Sequence, residues 1–340
     1  MIRKSYFSRE DIKMDIKIRS EKVSDYNSIA NVNYEAFLGW HPDNHFVDEF
    51  ILVDMLRHNS MFDPELSLVA EYDGKIVGHV LFSPFKFIII GREQLGVALG
   101  PVAVMPEFQR KGIGSMLIEE GHRRAGEKGY GFSLLCGHVE YYPRFGYRTN
   151  MFSLSGTDVT INMDSFDNEG FADRPVNQKD IPWLMEAWIR QHGADALALY
   201  PGDNISEWSN HGLGCRCAVV SKNNRILGYA RYVRSRIINI KELLANDEDM
   251  PELLAYLAWK EYGKAKGKMH IALSAEKLQA SLGNTGSFEV DDSRTAHDAF
   301  MIKVLNQESP VAAYCEQVEN GLLKPGILIY PAMFDAAESN

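Results

Sequence analysis

The residues Gln109-Arg110-Lys111-Gly112-Ile113-Gly114 follow the apolar run Val102-Ala103-Val104 and lead straight into a helical pattern. In that pattern Ile113, Met116, Leu117 and Ala125 fall on one face, opposite Glu119, His122 and Arg123. Strand, glycine-bearing turn and amphipathic helix in this order aim the first N–H groups of the helix at one point. The glycines at 112 and 114 clear side chains from it, and the helix dipole adds partial positive charge. Arg110 and Lys111 can add full charges, which suits a ligand with several negative ones. The hexapeptide alone is a common pattern, and a tight β–α turn with solvated basic residues is the plainer reading. The strand before it and the helix after it favour a pyrophosphate site.

The surrounding pattern is mixed α/β. Residues 14–19 alternate with period two, and Ser24-Asp25-Tyr26 then caps a stretch with Ile29, Val32 and Phe37 at helical spacing. A second helix is expected over 41–59. The runs 66–72 and 75–82 meet at Asp73-Gly74, which predicts a hairpin with a type I′ turn. Further strands are expected over 85–90 and 95–104, the latter interrupted by Gly100-Pro101, where a bulge or a splayed ladder is implied. Gly129 ends the helix begun at Gly112. A buried strand over 131–136, a turn over 140–145 and strands over 147–154 and 159–163 complete the first half.

The opening pattern then starts again. Arg174 and Asp180 repeat the six-residue spacing of Arg19 and Asp25, and Asn223-Asn224-Arg225-Ile226-Leu227-Gly228 repeats Asp73-Gly74-Lys75-Ile76-Val77-Gly78. An internal duplication is expected, although any two α/β domains share a strand–helix opening and a hairpin. Its domains are 1–165 and 171–340.

Composition narrows the function. The 340 residues are 45% hydrophobic, enough for two cores, and the formal net charge is −10. That sign argues against nucleic acid and anionic lipid as partners. It suits cationic acceptors, though acidity also serves solubility alone. Cys136, Cys215, Cys217 and Cys315 contain one C-x-C and no C-x-x-C, so neither a disulfide scaffold nor a zinc knuckle is expected, and no metal. Cys136 reads as a buried strand residue. The first twenty residues lack an unbroken apolar stretch and runs such as Phe87-Ile88-Ile89-Ile90 are strand-sized, so a cytoplasmic protein without a membrane span is expected.

Over residues 16–163 the sequence resembles the GNAT N-acetyltransferase superfamily, through LGPVAVMPEFQRKGIGSMLIEEG and the later YYPRFGY. The resemblance implies a mostly antiparallel sheet flanked by helices, in tandem here, with acetyl-CoA as co-substrate and a small-molecule or protein amine as acceptor; homo-oligomers are left open. It implies that backbone groups of Val102, Ala103 and Val104 pair with the pantetheine arm where the strand splays, and that Gln109, Arg110, Lys111, Gly112, Ile113, Gly114 and Ser115 surround the pyrophosphate. A backbone N–H of the same strand is the expected oxyanion donor.

The chemistry asks for a proton donor to the departing thiolate, whose pKa lies near that of cysteine, about 8.5. Tyr142 stands four residues before Gly146, which matches the family's thiol-protonating tyrosine; Tyr141 is the competitor, and an aromatic core role is the commoner one for any tyrosine. The ammonium acceptor must lose a proton, so a base or a water chain is required. His138 and Glu140 follow the strand flanking the thioester, and Glu35 lies on the first helix; each is a candidate.

A second copy would carry its own glycine turn between residues 238 and 253. Ile240-Lys241-Glu242-Leu243-Leu244-Ala245-Asn246-Asp247-Glu248-Asp249-Met250 has no glycine and four acidic residues, so no coenzyme is expected there. This half is expected to pack on the first and either to shape the acceptor pocket or to act as a stabilising appendage. The leading function is amine acetylation. A noncatalytic acyl-CoA-binding regulatory module is the alternative, and a dinucleotide oxidoreductase fits poorly because the glycines lack the G-x-G-x-x-G order.

Overall fold

A computed structural model describes residues 14–41, 46–212, 214–283, 286–292 and 297–337. In chain order its first half contains β1 (Lys17–Ser20), α1 (Tyr26–Phe37), α2 (Glu49–Leu56), β2 (Ser67–Tyr72), β3 (Lys75–Ile89), β4 (Arg92–Val104), α3 (Ile113–Glu127), β5 (Phe132–Cys136), β6 (Phe152–Ser153) and β7 (Thr157–Asn162). The second contains β8 (Phe171–Pro175), α4 (Ile181–His192), β9 (Leu197–Leu199), β10 (Cys215–Lys222), β11 (Arg225–Arg234), β12 (Ile238–Ala245) and α5 (Met250–Tyr262). It ends with β13 (Lys266–Ile271), α6 (Ala275–Leu282), β14 (Phe288–Asp291), β15 (Phe300–Val304), α7 (Pro310–Glu319) and β16 (Gly326–Ile327).

The strands form two large sheets, ordered β1-β2-β3-β4-β5-β15 with β9 on β3, and β14-β7-β13-β12-β11-β10-β8. In each, one parallel pair, β4 with β5 and β12 with β13, sits among antiparallel neighbours. The duplication is visible at the residue level. Arg19 Nη1 donates to Asp25 Oδ2 at 2.6 Å, and Arg174 Nη1 to Asp180 Oδ2 at 2.6 Å. Each carboxylate also accepts the backbone N–H three residues before it, from Lys22 and from Asn177. Both hairpins turn through left-handed residues, Asp73-Gly74 and Asn223-Asn224, as a type I′ turn demands.

The expected boundary between 165 and 171 does not coincide with the sheets. β7, from the first half, pairs with β13 in the second sheet, while β15, from the second half, pairs with β5 in the first. Each half thus closes its sheet with a strand lent by the other. The halves also share apolar cores: Ile88 on β3 packs with Trp188, Trp208 and Tyr229. The C-terminal segment joins in, with Phe334 against Phe85 at 6.0 Å between ring centroids.

Several local expectations change. The two runs 75–82 and 85–90 are one strand, because Pro84 lies beyond Leu81, where pairing with β2 ends, and its missing N–H orphans no partner. A register shift between Val80 and Phe82 stands opposite Gly100-Pro101. The helix expected over 41–59 is shorter, α2, and residues 42–45 lie outside the described residues. The strand expected over 147–154 reduces to β6, which pairs in parallel with β16. On α3 the buried face is Ile113, Leu117, Ile118, Gly121, His122 and Ala125, so His122 is inside and Met116 is 39% exposed. Among the described residues no helix is long and apolar enough to cross a membrane.

Candidate active site

The first-half sheet carries α1 and α2 on one face and α3 on the other. β4 and β5 pair only from Gly96 with Phe132 to Ala98 with Leu134. Beyond that point β4 continues along β3 to Val104 while β5 runs to Cys136, and the edge of β4 facing β5 opens. Val102 and Val104 lean toward α3, and Ala103 toward the opposite face with its cross-strand neighbour His79.

The opening leads to the N-terminus of α3. Gly112, the residue before the helix, has φ 84° and Arg110 has φ 58°, both left-handed. Alternation of such residues with right-handed or extended ones turns successive N–H groups toward one side, an anion-binding concavity. Gln109, Arg110, Lys111 and Gly112 are exposed, and a Cβ added at Gly112 would meet nothing within 4 Å, so the space before the helix is open. The turn is braced from behind. Gln109 Nε2 donates to Val104 O at 3.0 Å, and Lys111 Nζ donates to Glu107 O at 2.7 Å. The first-turn N–H groups of Ile113, Gly114 and Ser115 have no acceptor within the helix and are available to a ligand.

The 3-10 turn Tyr142–Phe145 brings the later motif beside this helix end. Arg144 Nη2 donates to Ser115 Oγ at 2.8 Å, with its guanidinium 4.1 Å from the centroid of the Tyr141 ring. The Tyr141 hydroxyl lies 3.0 Å from where a Cβ on Gly114 would stand. Tyr141 therefore belongs to the helix N-terminus. Tyr142 belongs to the other end of the opening: a Cβ on Gly137, the first residue after β5, would be 2.4 Å from the Tyr142 ring. Burial, with lesser contributions from Tyr141 and Cys136, pushes the Tyr142 hydroxyl above the usual phenol range.

Beneath Tyr142 lies a buried chain that the sequence did not disclose. His122 Nε2 is 2.9 Å from the Tyr147 hydroxyl, which is 2.7 Å from Ser133 Oγ, and the rings of Tyr142 and Tyr147 meet edge to face at 5.9 Å. Burial, then the charge of Lys303, holds His122 down to about 3, so it is neutral. The absent signal was periodicity: His122 sits where an apolar stripe should be, and a histidine there reads as surface.

The expected bases are not brought together. His138 is exposed with the Trp40 ring against it at 5.1 Å, and its carbonyl accepts the N–H groups of Tyr141 and Tyr142 at 3.0 and 3.2 Å. Glu140 is exposed in the following turn. Glu35 is exposed on α1, away from the buried face of Ile29, Val32 and Asn33, and does not join the others. Cys136, read above as buried, is exposed, because β5 ends at it where the opening begins. His41, which follows Trp40, meets Asp48 and Glu49: its Nε2 is 3.8 Å from Asp48 Oδ1 and 3.3 Å from Glu49 Oε2. Among the described residues these three are the group whose ligand atoms could reach one cation, all within 4.8 Å of one another.

The second half lacks the cradle. Before α5 the chain runs through Asn246 to Asp249, and Arg225 holds the Asp249 carboxylate with bonds of 2.8 and 2.7 Å. Asn246 Nδ2 donates to the same carboxylate at 3.1 Å. Acidic side chains thus occupy the helix end where an anion would sit.

Residues 17–149 match the family model described as an acetyltransferase (GNAT) domain. The uncharacterized N-acetyltransferase YjhQ of Escherichia coli K12 is 37% identical over 124 residues, which are 36% of this chain and 65% of YjhQ. A GNAT family acetyltransferase from Brucella melitensis, solved in complex with acetyl-CoA, shares 38% identity over 39% of this chain and 82% of its own, with a TM-score of 0.35. A conserved protein from Enterococcus faecalis V583, described as a probable N-acyltransferase, is alike in fold over 86% of this chain and 73% of its own, at a TM-score of 0.62 and 14% identity. That last likeness runs through both halves.

Proposed function

Residues 17–149 of this chain belong to the GNAT acetyltransferase family, and from that we propose that the chain transfers acetyl from acetyl-CoA to an amine by direct attack. The observation that carries the reading is the open N-terminus of α3, entered through left-handed Arg110 and Gly112, beside an opening between β4 and β5 that ends at Tyr142. In this reading the pyrophosphate rests on the backbone of Gln109 to Ser115, with Arg110 and Lys111 adding charge. The exposed edge of β4 from Val102 to Val104 binds the pantetheine amides as an added strand would.

The neutral amine attacks the thioester carbonyl carbon, and a backbone N–H of the same β4 edge stabilises the oxyanion. The carbon–sulfur bond then breaks, Tyr142 gives its proton to the departing thiolate, and the surplus proton on the nitrogen returns through water to the tyrosinate. A hydroxyl held above its ordinary pKa stays protonated at neutral pH and releases its proton only when the thiolate charge has developed. His138, alone or through water, is the favoured acceptor of the ammonium proton, and Glu140 the second choice. Trp40, edge to face with His138, makes an aromatic wall for the acceptor. The second half binds no coenzyme, so one acetyl-CoA is taken up per chain.

The test is release of free CoA thiol from acetyl-CoA across a panel of small amines, peptide N-termini and lysines, together with direct titration of acetyl-CoA. Turnover on at least one class is expected, and Gly112→Glu abolishes coenzyme binding by placing an acid where the phosphate sits. Tight acetyl-CoA binding with no turnover on any amine replaces the enzyme by a sensor. Binding that survives Gly112→Glu unchanged removes the site.

A further inference from the structure

The second half contains a pair of thiols that acetyl transfer does not use. Cys215 and Cys217, two positions apart on β10, place their side chains on the same face of the strand. Cys215 Sγ donates to Asp335 Oδ2 at 3.4 Å. Cys217 stands directly across the ladder from Arg231, whose guanidinium donates to the same Asp335 oxygen at 3.0 Å. Asp335 lies in the 3-10 turn Ala332–Ala337 near the C-terminus and also accepts from Lys241 Nζ at 2.8 Å. The dithiol therefore adjoins the polar clamp that holds this turn to the second sheet.

The pair is reachable. β8 covers β10 only from Ala218 onward, and the uncovered start of the strand lines a cavity of about 290 Å³ together with Ser209, Asn210 and Arg174. A small oxidant fits there. The two thiols are also unlike one another. The adjacent Cys215 thiol, opposed by burial and helped by Tyr229 and the charge of Arg231, holds Cys217 below the usual thiol range. Its neighbour Cys217, burial and the Asp335 carboxylate push Cys215 well above it. One is disposed to attack as a thiolate and the other to wait as a thiol.

We propose that Cys215 and Cys217 are a peroxide-reactive dithiol that closes to a reversible disulfide and loosens the C-terminal turn. The Cys217 thiolate attacks one oxygen of hydrogen peroxide and the O–O bond breaks, giving a sulfenic acid and hydroxide. The Cys215 thiol sulfur then attacks the Cys217 sulfur and its proton joins the departing hydroxide as water, leaving the disulfide. Sulfur is oxidised by two electrons and peroxide is reduced. In an extended strand residues two apart are separated by about 6.4–6.8 Å, at the upper edge of the span a disulfide tolerates. Such a bond is strained and easily reduced by a dithiol, as a reversible device requires. Closure also removes the S–H that Asp335 accepts.

The experiment uses the full chain carrying Cys136→Ser, which silences the exposed thiol and leaves three. After hydrogen peroxide, thiol titration is expected to find only Cys315, and trypsin, cutting after Arg216, to release the two cysteines as one disulfide-linked peptide pair. Dithiothreitol restores all three thiols. On the same background Cys215→Ser should accumulate a dimedone adduct at Cys217, and oxidised chain should lose residues beyond Tyr330 to protease faster than reduced chain. Three thiols still titratable after peroxide, or a linked pair that forms while protease resistance of the C-terminal turn is unchanged, would overturn the proposal in its chemistry or in its consequence.

Discussion

His122 on α3 and Tyr147 after the Tyr142–Phe145 turn are joined by a hydrogen bond of 2.9 Å inside the core. The Tyr147 hydroxyl continues to Ser133 on β5, so helix, turn and strand are tied at one buried oxygen. Removing that oxygen with Tyr147→Phe leaves the His122 nitrogen and the Ser133 hydroxyl without it, a loss of about 1–3 kcal/mol. Urea unfolding at neutral pH measures it, and an unchanged midpoint would show that the chain is dispensable.

Tyr142→Phe preserves the ring that packs on Gly137 and deletes only the proposed proton donor. It is expected to lower kcat by about 10²–10⁴-fold, the usual range for a positioned acid, with the acetyl-CoA Kd unchanged. Tyr141→Phe should keep kcat within a few-fold, because its hydroxyl lies at Gly114 and not at the end of β5. The reverse ranking would exchange the two roles.

Acid should destabilise the fold through His79. Its ring is fully buried between Asn33 Nδ2 at 3.0 Å and Ser67 Oγ at 3.1 Å, and burial, then the charge of Arg57, lowers it to about 3. The unfolded chain takes up a proton near pH 6.5 that the folded chain refuses until about pH 3. The folded pKa is depressed, so the contribution is complete above 6.5 and is lost as pH falls through that window, by about 1.4 kcal/mol per pH unit. His79→Gln should flatten the slope of unfolding free energy against pH by that amount between pH 6 and 4, relative to the unmodified chain. Parallel slopes would show that His79 does not resist protonation.

Gly121 tests close packing against helix propensity. Alanine in a helix interior gains about 1 kcal/mol over glycine. At this position its Cβ would stand 1.9 Å from Phe82 Cε2, a collision with a fully buried ring. Overpacking costs about 1–3 kcal/mol, so Gly121→Ala should lower the melting temperature despite its better propensity. Adding Phe82→Leu to Gly121→Ala should recover part of the loss in a double-mutant comparison.

The sequence disclosed what is local. The Arg19–Asp25 and Arg174–Asp180 pairs, both type I′ hairpins and the glycine turn before α3 each depend on residues a few positions apart, and each stands where the spacing put it. What it hid depends on tertiary neighbours. His122 was assigned to the polar face of α3 because a lone imidazole gives no sign of the Tyr147 hydroxyl that satisfies it. The strand runs straight through the gap expected between residues 82 and 85, since whether the missing N–H of Pro84 matters depends on how far β2 reaches. Cys136 was read as buried from its apolar strand, but the strand ends at it. The candidate bases depend on packing for the same reason: Glu35 lies on the exposed face of α1, away from Ile29, Val32 and Asn33, which helical spacing alone does not say.

The exchange of β7 and β15 bears on how the chain comes to be folded. As the polypeptide leaves the ribosome, Leu134 must wait for Ile302, its neighbour across the ladder, while the whole second half is made. Until then the outer edge of β5 offers unpaired N–H and C=O groups, the kind of edge that invites pairing with another nascent chain. Contacts so distant in sequence also close slowly. The candidate catalytic half therefore completes its sheet almost last, and a ribosome stalled before residue 300 releases a chain whose β5 edge is uncapped beside the opening proposed to hold the coenzyme.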